Sequence, residues 1–353
     1  MSKPGMSGRL GLDRFSGLYL FAIIFVVFAL WIPEAFLTSG NFSSIASQRS
    51  VVAMLALGLM VPMTAGAFDV SIGATINLST VLVAVLITKH DWGMWPAMAV
   101  AVGSGTLVGV VNGFVVVKLK VNSFIGTLGM SSIIAAFMTI VSGQSQPSPP
   151  TGNAWINLTR REFFGIQVIV IYMLILAIVI WWFVEHTPGG RYLRAIGGNA
   201  EAARLSGVRV DRWTWISLII SGTVAGLAGV LYTSQNGPSL TYGPSLLLPA
   251  FAAVFLGSTQ LQPGRMNVWG TVIAIYVLAT GVKGLQLVTG VQWLNSMFNG
   301  VALIAAVAFS IWGSGRTSKS AATKHDPLID STPPVVSNPE ATNEPDPHAS
   351  QNA

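Results

Sequence analysis

The chain has no cysteine among its 353 residues, which excludes disulfides, iron–sulfur clusters and thiol nucleophiles. Charge is the second scarcity. Only 9% of residues are Asp, Glu, Lys or Arg, while 52% are hydrophobic and mean hydropathy is +0.64; a soluble domain carries about 25% charged residues. A chain this poor in charge cannot cover its surface in water, and a polytopic membrane protein is expected. Catalytic equipment is also missing. There is no GxxxxGK[ST] stretch to cradle a nucleotide in the usual way. The four histidines, His90, His186, His325 and His348, have no Cys, His or carboxylate partner at helical metal spacing. An enzyme reading thus lacks a nucleophile, a metal and an acid–base pair. The net charge of +6 is spread through the loops and forms no single basic patch, which argues against nucleic acid.

Long apolar runs are abundant. Taking about 20 apolar residues per crossing, ten spans are expected near 17–37, 51–66, 70–88, 93–117, 124–141, 164–184, 213–235, 246–258, 266–288 and 293–313. The first is too long for a cleaved leader and has no small-residue cleavage site after it, so it is expected to be retained. The second and eighth are short and hold Pro62 and Pro249. Two readings fit them equally: broken or re-entrant helices, or spans that are kinked or tilted. The fold class is therefore all-α, a polytopic transmembrane bundle of about ten spans. Residues 1–16 form the N-terminal segment, 17–313 the membrane block with a polar connector at 185–212, and 314–353 a tail too poor in core-forming residues to order.

Assigning Lys and Arg to the two sides of this arrangement puts 14 on one side and 5 on the other. The positive-inside rule then makes both termini and the 185–212 connector cytoplasmic. Ten of the eleven tryptophans fall at span ends, where indole rings favour the interface. The proline-rich segment Gly143–Arg161 lies on the outer side.

Glycines at small-xxx-small spacing, Gly105–Gly109–Gly113 and Gly222–Gly226–Gly229, indicate close helix packing and say nothing about substrate. Polar residues in or beside spans are more informative, because lipid cannot satisfy them. Asp69, Ser71, Asn77, Thr127 and Gln144 are candidates to line a path for a neutral, hydroxyl-rich solute; for each alone, an interhelical bond or a helix cap is the competing role. Asn112-Gly113 and Asn299-Gly300 sit at similar offsets in the two halves, a faint internal echo.

The most unusual stretch is GGNAEAARLSGV, Gly197–Val208. Asn199 is a good N-cap, Glu201 places negative charge in a first turn, Ala200, Ala202, Ala203, Arg204 and Leu205 favour helix, and Gly207 supplies a stop. A two-turn helix beside the membrane is expected, and one so short needs a docking surface. An ordinary connector carrying positive-inside arginines is the plainer reading.

The string Arg191–Arg212, RYLRAIGGNAEAARLSGVRVDR, resembles the coupling-helix region of permease subunits from bacterial ABC importers for ribose and related sugars. Gly66–Ala74, Val110–Met130 and Ala250–Arg265 match in order, and the resemblance runs from about residue 15 to 313. It implies a type II importer-like fold in the bacterial inner membrane and a second permease copy, identical or related. It further implies a cytoplasmic ATPase that uses ATP and Mg, and an extracytoplasmic sugar-binding protein. By the same resemblance Gly198, Asn199, Glu201, Ala202, Ala203, Arg204, Leu205 and Gly207 form the ATPase-coupling element, and this chain binds no cofactor. One departure is that Leu247 and Pro249 stand where relatives often carry an acidic pair. An ion-coupled secondary carrier and a non-transporting membrane scaffold remain the alternatives.

Overall fold

The structure is a computed structural model that describes residues 12–291 and 293–322. The helices are α1 Leu12–Trp31, α2 Pro33–Phe36, α3 Ser39–Thr64, α4 Ile72–Thr88, α5 Met94–Gly113 continued by a π-helical turn Phe114–Lys118, α6 Ser123–Ser142, α7 Asn153–Arg160, α8 Val168–His186, α9 Pro188–Gly198, α10 Ala200–Leu205, α11 Val210–Asn236, α12 Tyr242–Ser258, α13 Val268–Thr289 and α14 Trp293–Ala322. Two contact units divide the chain at Ser314 and Gly315. In the second, only the helical stretch through Ala322 is described, so most of the expected tail lies outside the described residues.

Every expected span overlaps a helix, although the first (17–37) is divided at Ile32 between α1 and α2 and the sixth (164–184) begins in a hairpin that precedes α8. Among the described residues six helices are long and apolar enough to cross a membrane, and four more apolar stretches are shorter: Leu18–Trp31, Ile72–Thr88, Tyr242–Ser258 and Trp293–Ala308. The expectation that the second span is short is wrong. α3 runs for 26 residues, because its polar first half is also helical. Its buried polar groups return their hydrogen bonds to nearby carbonyls: Asn41 Nδ2 donates to Phe36 O at 2.8 Å, Ser47 Oγ to Ser43 O at 2.8 Å and Ser50 Oγ to Ala46 O at 2.8 Å. The two serines are satisfied in this way, whereas Asn41 Oδ1 is buried with no hydrogen-bond partner among the described residues. Pro62 sits in the last turn and does not break it. The all-α expectation is also adjusted by one small hairpin, Glu162–Phe163 paired antiparallel with Ile166–Gln167. Phe164 (φ 52°) and Gly165 (φ 78°) both take positive φ, as a two-residue hairpin turn requires.

α3 is the axis of the bundle. Ala53–Leu57 and Leu59–Val61 are fully buried, and the second half of the helix is apolar around its whole circumference, which suits a central position. Five of the six glycines of the two runs pack where α5 crosses α11, while Gly229 meets Ile76 O and Ser79 of α4. A Cβ at Gly105 would lie 2.3 Å from Gly222 O, and one at Gly109 would lie 2.5 Å from Leu218 O. Trp215 Nε1 ties the same crossing by donating to Val110 O at 3.0 Å. α6 and α8 lie at the edge of the bundle. Their outward residues include Ile125, Leu128, Ile133, Phe137 and Ile140 of α6, and Ile175, Val179 and Trp182 of α8. An apolar face of that kind fits lipid.

Candidate functional site

The polar connector is two helices joined by a single residue. α9 was not anticipated, although its signature is present: Thr187 caps it, accepting from Gly190 N, and Pro188 occupies its first position. Leu193 and Ile196 anchor α9 in the main core, and Arg194 holds Glu185 at 2.7 Å and donates to Val184 O at 2.6 Å. Gly198 is the last residue of α9. Asn199, in extended conformation, then ends α9 and caps α10, its Oδ1 accepting from Glu201 N and Ala202 N at 3.0 Å each.

α10 ends as cleanly as it starts. Gly207 (φ 83°) donates to Arg204 O at 3.0 Å, and Val208 N donates to Ala203 O at 3.0 Å. These paired bonds are those of a left-handed glycine terminator. The expected capping logic therefore holds at Asn199 and Gly207 alike. Ala203 faces inward and is buried, whereas Glu201, Ala202 and Arg204 are exposed and Leu205 is 83% exposed. At that exposure Leu205 buries little of its surface within the described chain. Arg204 reaches Glu201 (3.9 Å) and Asp211 (3.4 Å), and Lys120 reaches Asp211 (3.3 Å), all among exposed side chains. Such pairs contribute under about 1 kcal/mol each and leave the charges free to re-pair. Replacing Asn199 with Ala should cost the helix about 1 kcal/mol. Amide exchange would show it as faster exchange at Glu201 and Ala202, with α9 unchanged.

The connector leans on the bundle at one point. Gly197 packs against the end of α3 so closely that a Cβ there would meet Thr64 O at 2.2 Å, and Gly66 (φ 75°) faces it across the gap. Three residues beyond Gly66 lies a buried polar hub. Asp69 is 1% exposed; its Oδ1 accepts from Ser71 N (3.1 Å) and Ser71 Oγ (2.6 Å), and its Oδ2 accepts from Ser221 Oγ of α11 (2.7 Å). Asn112 of α5 donates to Ser71 Oγ at 2.7 Å. α6 holds the same segment from the other side: Ser123 Oγ accepts from Phe68 N and Thr127 Oγ1 from Val70 N, each at 3.0 Å. One short connector thus joins α4, α5, α6 and α11.

Of the residues expected to line a path, Asp69, Ser71 and Thr127 come together at this hub. Asn77 stands apart, clamping the approach to α12 by donating to Leu240 O (3.0 Å) and accepting from Gly243 N (2.8 Å). Gln144 is exposed and sits just beyond the C-terminus of α6, the helix that Ser123 begins. Sequence reasoning missed Ser221 and Asn112 as hub partners, because nothing local marks a serine or asparagine for a contact across more than 40 residues. Among the described residues no group of three or more His, Asp or Glu could hold a metal.

A family model described as branched-chain amino acid transport system / permease component matches residues 41–307. The ribose import permease of Bacillus subtilis (strain 168) is 32% identical over 308 residues, covering 86% of this chain and 92% of that one. The D-allose transport system permease of Escherichia coli (strain K12) is 30% identical over 300 residues, 84% of this chain and 91% of its own. The L-arabinose transport system permease of the same strain is 30% identical over 300 residues, 84% and 90%. No solved structure matches the chain.

Proposed function

The chain belongs to the branched-chain amino acid transport system / permease component family, and from that premise we propose that it is the membrane-spanning permease subunit of an ATP-driven importer for a monosaccharide. It is a transport subunit and not an enzyme. The relatives' names supply the solute class, ribose, allose and arabinose, and a ribose-like sugar or related polyol is the proposed cargo. The partners are a cytoplasmic ATPase that consumes ATP with Mg, an extracytoplasmic sugar-binding protein, and a second permease, identical or related. The location is the bacterial inner membrane, with the α9–α10 side and both termini in the cytoplasm, as the excess of Lys and Arg on that side supports.

The observation that carries this reading is α10 itself. It is a helix of six residues, fixed at both ends, presenting Leu205, Glu201 and Arg204 outward and joined through α9 to the core. A helix too short to stand alone, with its only apolar extension facing water, is built to meet a partner. Pressure on α10 passes through Gly197 to the end of α3 and the Asp69 segment. Two alternative packings of the bundle, biased from this point, would open the path to one side or the other. In the present conformation Asp69, Ser71, Asn77 and Thr127 are buried and bonded within the chain; their proposed place along the path, with Gln144, rests on their polarity.

The test is sugar-stimulated ATP hydrolysis by the complete transporter in proteoliposomes. Glu201→Lys and Gly207→Val should each lower stimulation roughly tenfold, about 1.4 kcal/mol of coupling, with membrane insertion intact. Unchanged stimulation in both variants would remove α10 from the coupling role.

A further inference from the structure

Between α9, the end of α3 and the loop joining α12 to α13 lies a cavity of about 520 Å³, within the size range of ligand sites. Met63 and Thr64 of α3, Arg191 and Arg194 of α9, Ser258 at the end of α12 and Arg265 of the loop line it. Among the described residues, none that lines it is acidic. Arg194 is paired with Glu185 at 2.7 Å and adds little net charge. The guanidinium groups of Arg191 and Arg265 make no hydrogen bond or ion pair with any described residue. By contrast, Lys120 and Arg204 share Asp211. Both unpaired arginines stand on fixed backbone. Leu193 and Ile196 anchor α9 in the core. Asn267 Nδ2 donates to Arg265 O (3.2 Å), Gln260 O (2.9 Å) and Gly257 O (3.0 Å), which ties the loop to the end of α12.

The neighbours of the cavity mark its depth. Arg194 reaches Val184 and Glu185 in the last turn of α8. About one turn earlier on that helix, the ring of Trp181 lies 4.6 Å from His186 and 6.4 Å from Trp269, centroid to centroid. Trp269 is the second residue of α13 and follows Met266, another lining residue, by three positions. Indole rings collect where lipid headgroups meet water, because one part of the ring is apolar and its N–H is not. The arginines thus stand beside the headgroup layer, and α8, which Arg194 touches, exposes Ile175, Val179 and Trp182 outward.

We propose that this cavity is a binding site for the phosphate headgroup of an anionic phospholipid, held between Arg191 and Arg265. A guanidinium presents a planar fork of donors that fits two phosphate oxygens, and basic pockets between membrane helices take anionic headgroups in this way. The interfacial tryptophans favour a lipid over an acidic segment of a protein partner, since a headgroup at their level arrives without leaving the bilayer. Gly197 lines the same cavity, at the point where α9 meets Thr64 O, so a bound headgroup braces α9 against the end of α3. The site needs only that the α9 end of the bundle lie at a membrane surface, and it stands or falls separately from the permease reading.

Native mass spectrometry of the full chain, released from micelles holding equal amounts of phosphatidylglycerol and phosphatidylcholine, tests this without any transport assay. Wild type should retain phosphatidylglycerol roughly 25-fold over phosphatidylcholine, about fivefold for each of the two arginines. Arg191→Gln with Arg265→Gln should bring that preference to within about twofold of none, and Arg265→Gln alone should lose about fivefold. Arg194 is left intact because it holds Glu185. Arg212→Gln, which removes one charge outside the cavity, should keep the wild-type preference. A double variant that still prefers phosphatidylglycerol, or an equal loss in Arg212→Gln, would overturn the site. Inorganic phosphate in excess should not displace the retained lipid; displacement would assign the arginines to a soluble anion and overturn the lipid. No preference in wild type, together with weakened ATPase binding by the double variant, would assign them to an acidic protein partner instead.

Discussion

Gly222→Val is expected to leave almost no assembled protein in detergent extracts. Added carbons at this position would meet backbone, not a side chain that could turn aside: Gly105 O at 2.2 Å and Gly109 N at 2.9 Å. Ordinary overpacking costs about 1–3 kcal/mol. Here two helix axes would have to separate, and in lipid their association depends on that close approach and not on hydrophobic burial. The loss should exceed about 3 kcal/mol, enough to unfold a marginally stable protein. Gly103→Val is the matched control, on α5 itself, where an added Cβ would have nothing within 4 Å. Size-exclusion profiles of the two variants should differ sharply, Gly103→Val resembling wild type. A monodisperse Gly222→Val would mean that α5 and α11 do not touch there.

The second large effect is expected at Asp69. Asp69→Ala deprives Ser71 N, Ser71 Oγ and Ser221 Oγ of their acceptor at once, in a site that is 1% exposed. Donors stranded without water make this worth about 3–5 kcal/mol. Ser221→Ala removes a single bond and should cost about 1 kcal/mol. Thermal unfolding of the purified variants separates the two sizes of effect. Equal midpoints for Asp69→Ala and Ser221→Ala would dissolve the hub. Impaired transport by Asp69→Ala with a wild-type midpoint would instead make the carboxylate a path residue.

Helix positions were legible because long apolar runs in lipid leave few alternatives. What was not legible was polar helix. The reading of α3 began at Val51 because Ser39–Ser50 looks like a loop; its serines and Asn41 bond back to carbonyls that no hydropathy pattern reveals. α7 hid in the segment Gly143–Arg161 for the same reason, although Trp155 and Thr159, spaced one turn apart, are both buried. α9 was not anticipated although its signal is local, Thr187 as cap followed by Pro188. α10 was read correctly because its cap and terminator act over two or three residues. The hub was half legible: Asp69, Ser71 and Thr127 were singled out as polar, but their convergence depends on how four helices cross. Leu247 and Pro249, noted as departures, lie on Gly73 and beside Arg49 respectively.

Asn199 leaves the junction of α9 and α10 almost no slack. A single residue ends one helix and caps the next through two bonds from one oxygen, so only its own φ and ψ could act as a hinge, and bending either would break the cap. The pair therefore behaves kinematically as one bent rod. In the coupling role proposed for α10, a displacement applied at Leu205 would reach Gly197 with no compliant linker between them, and the geometry of that elbow would set how far α9 moves.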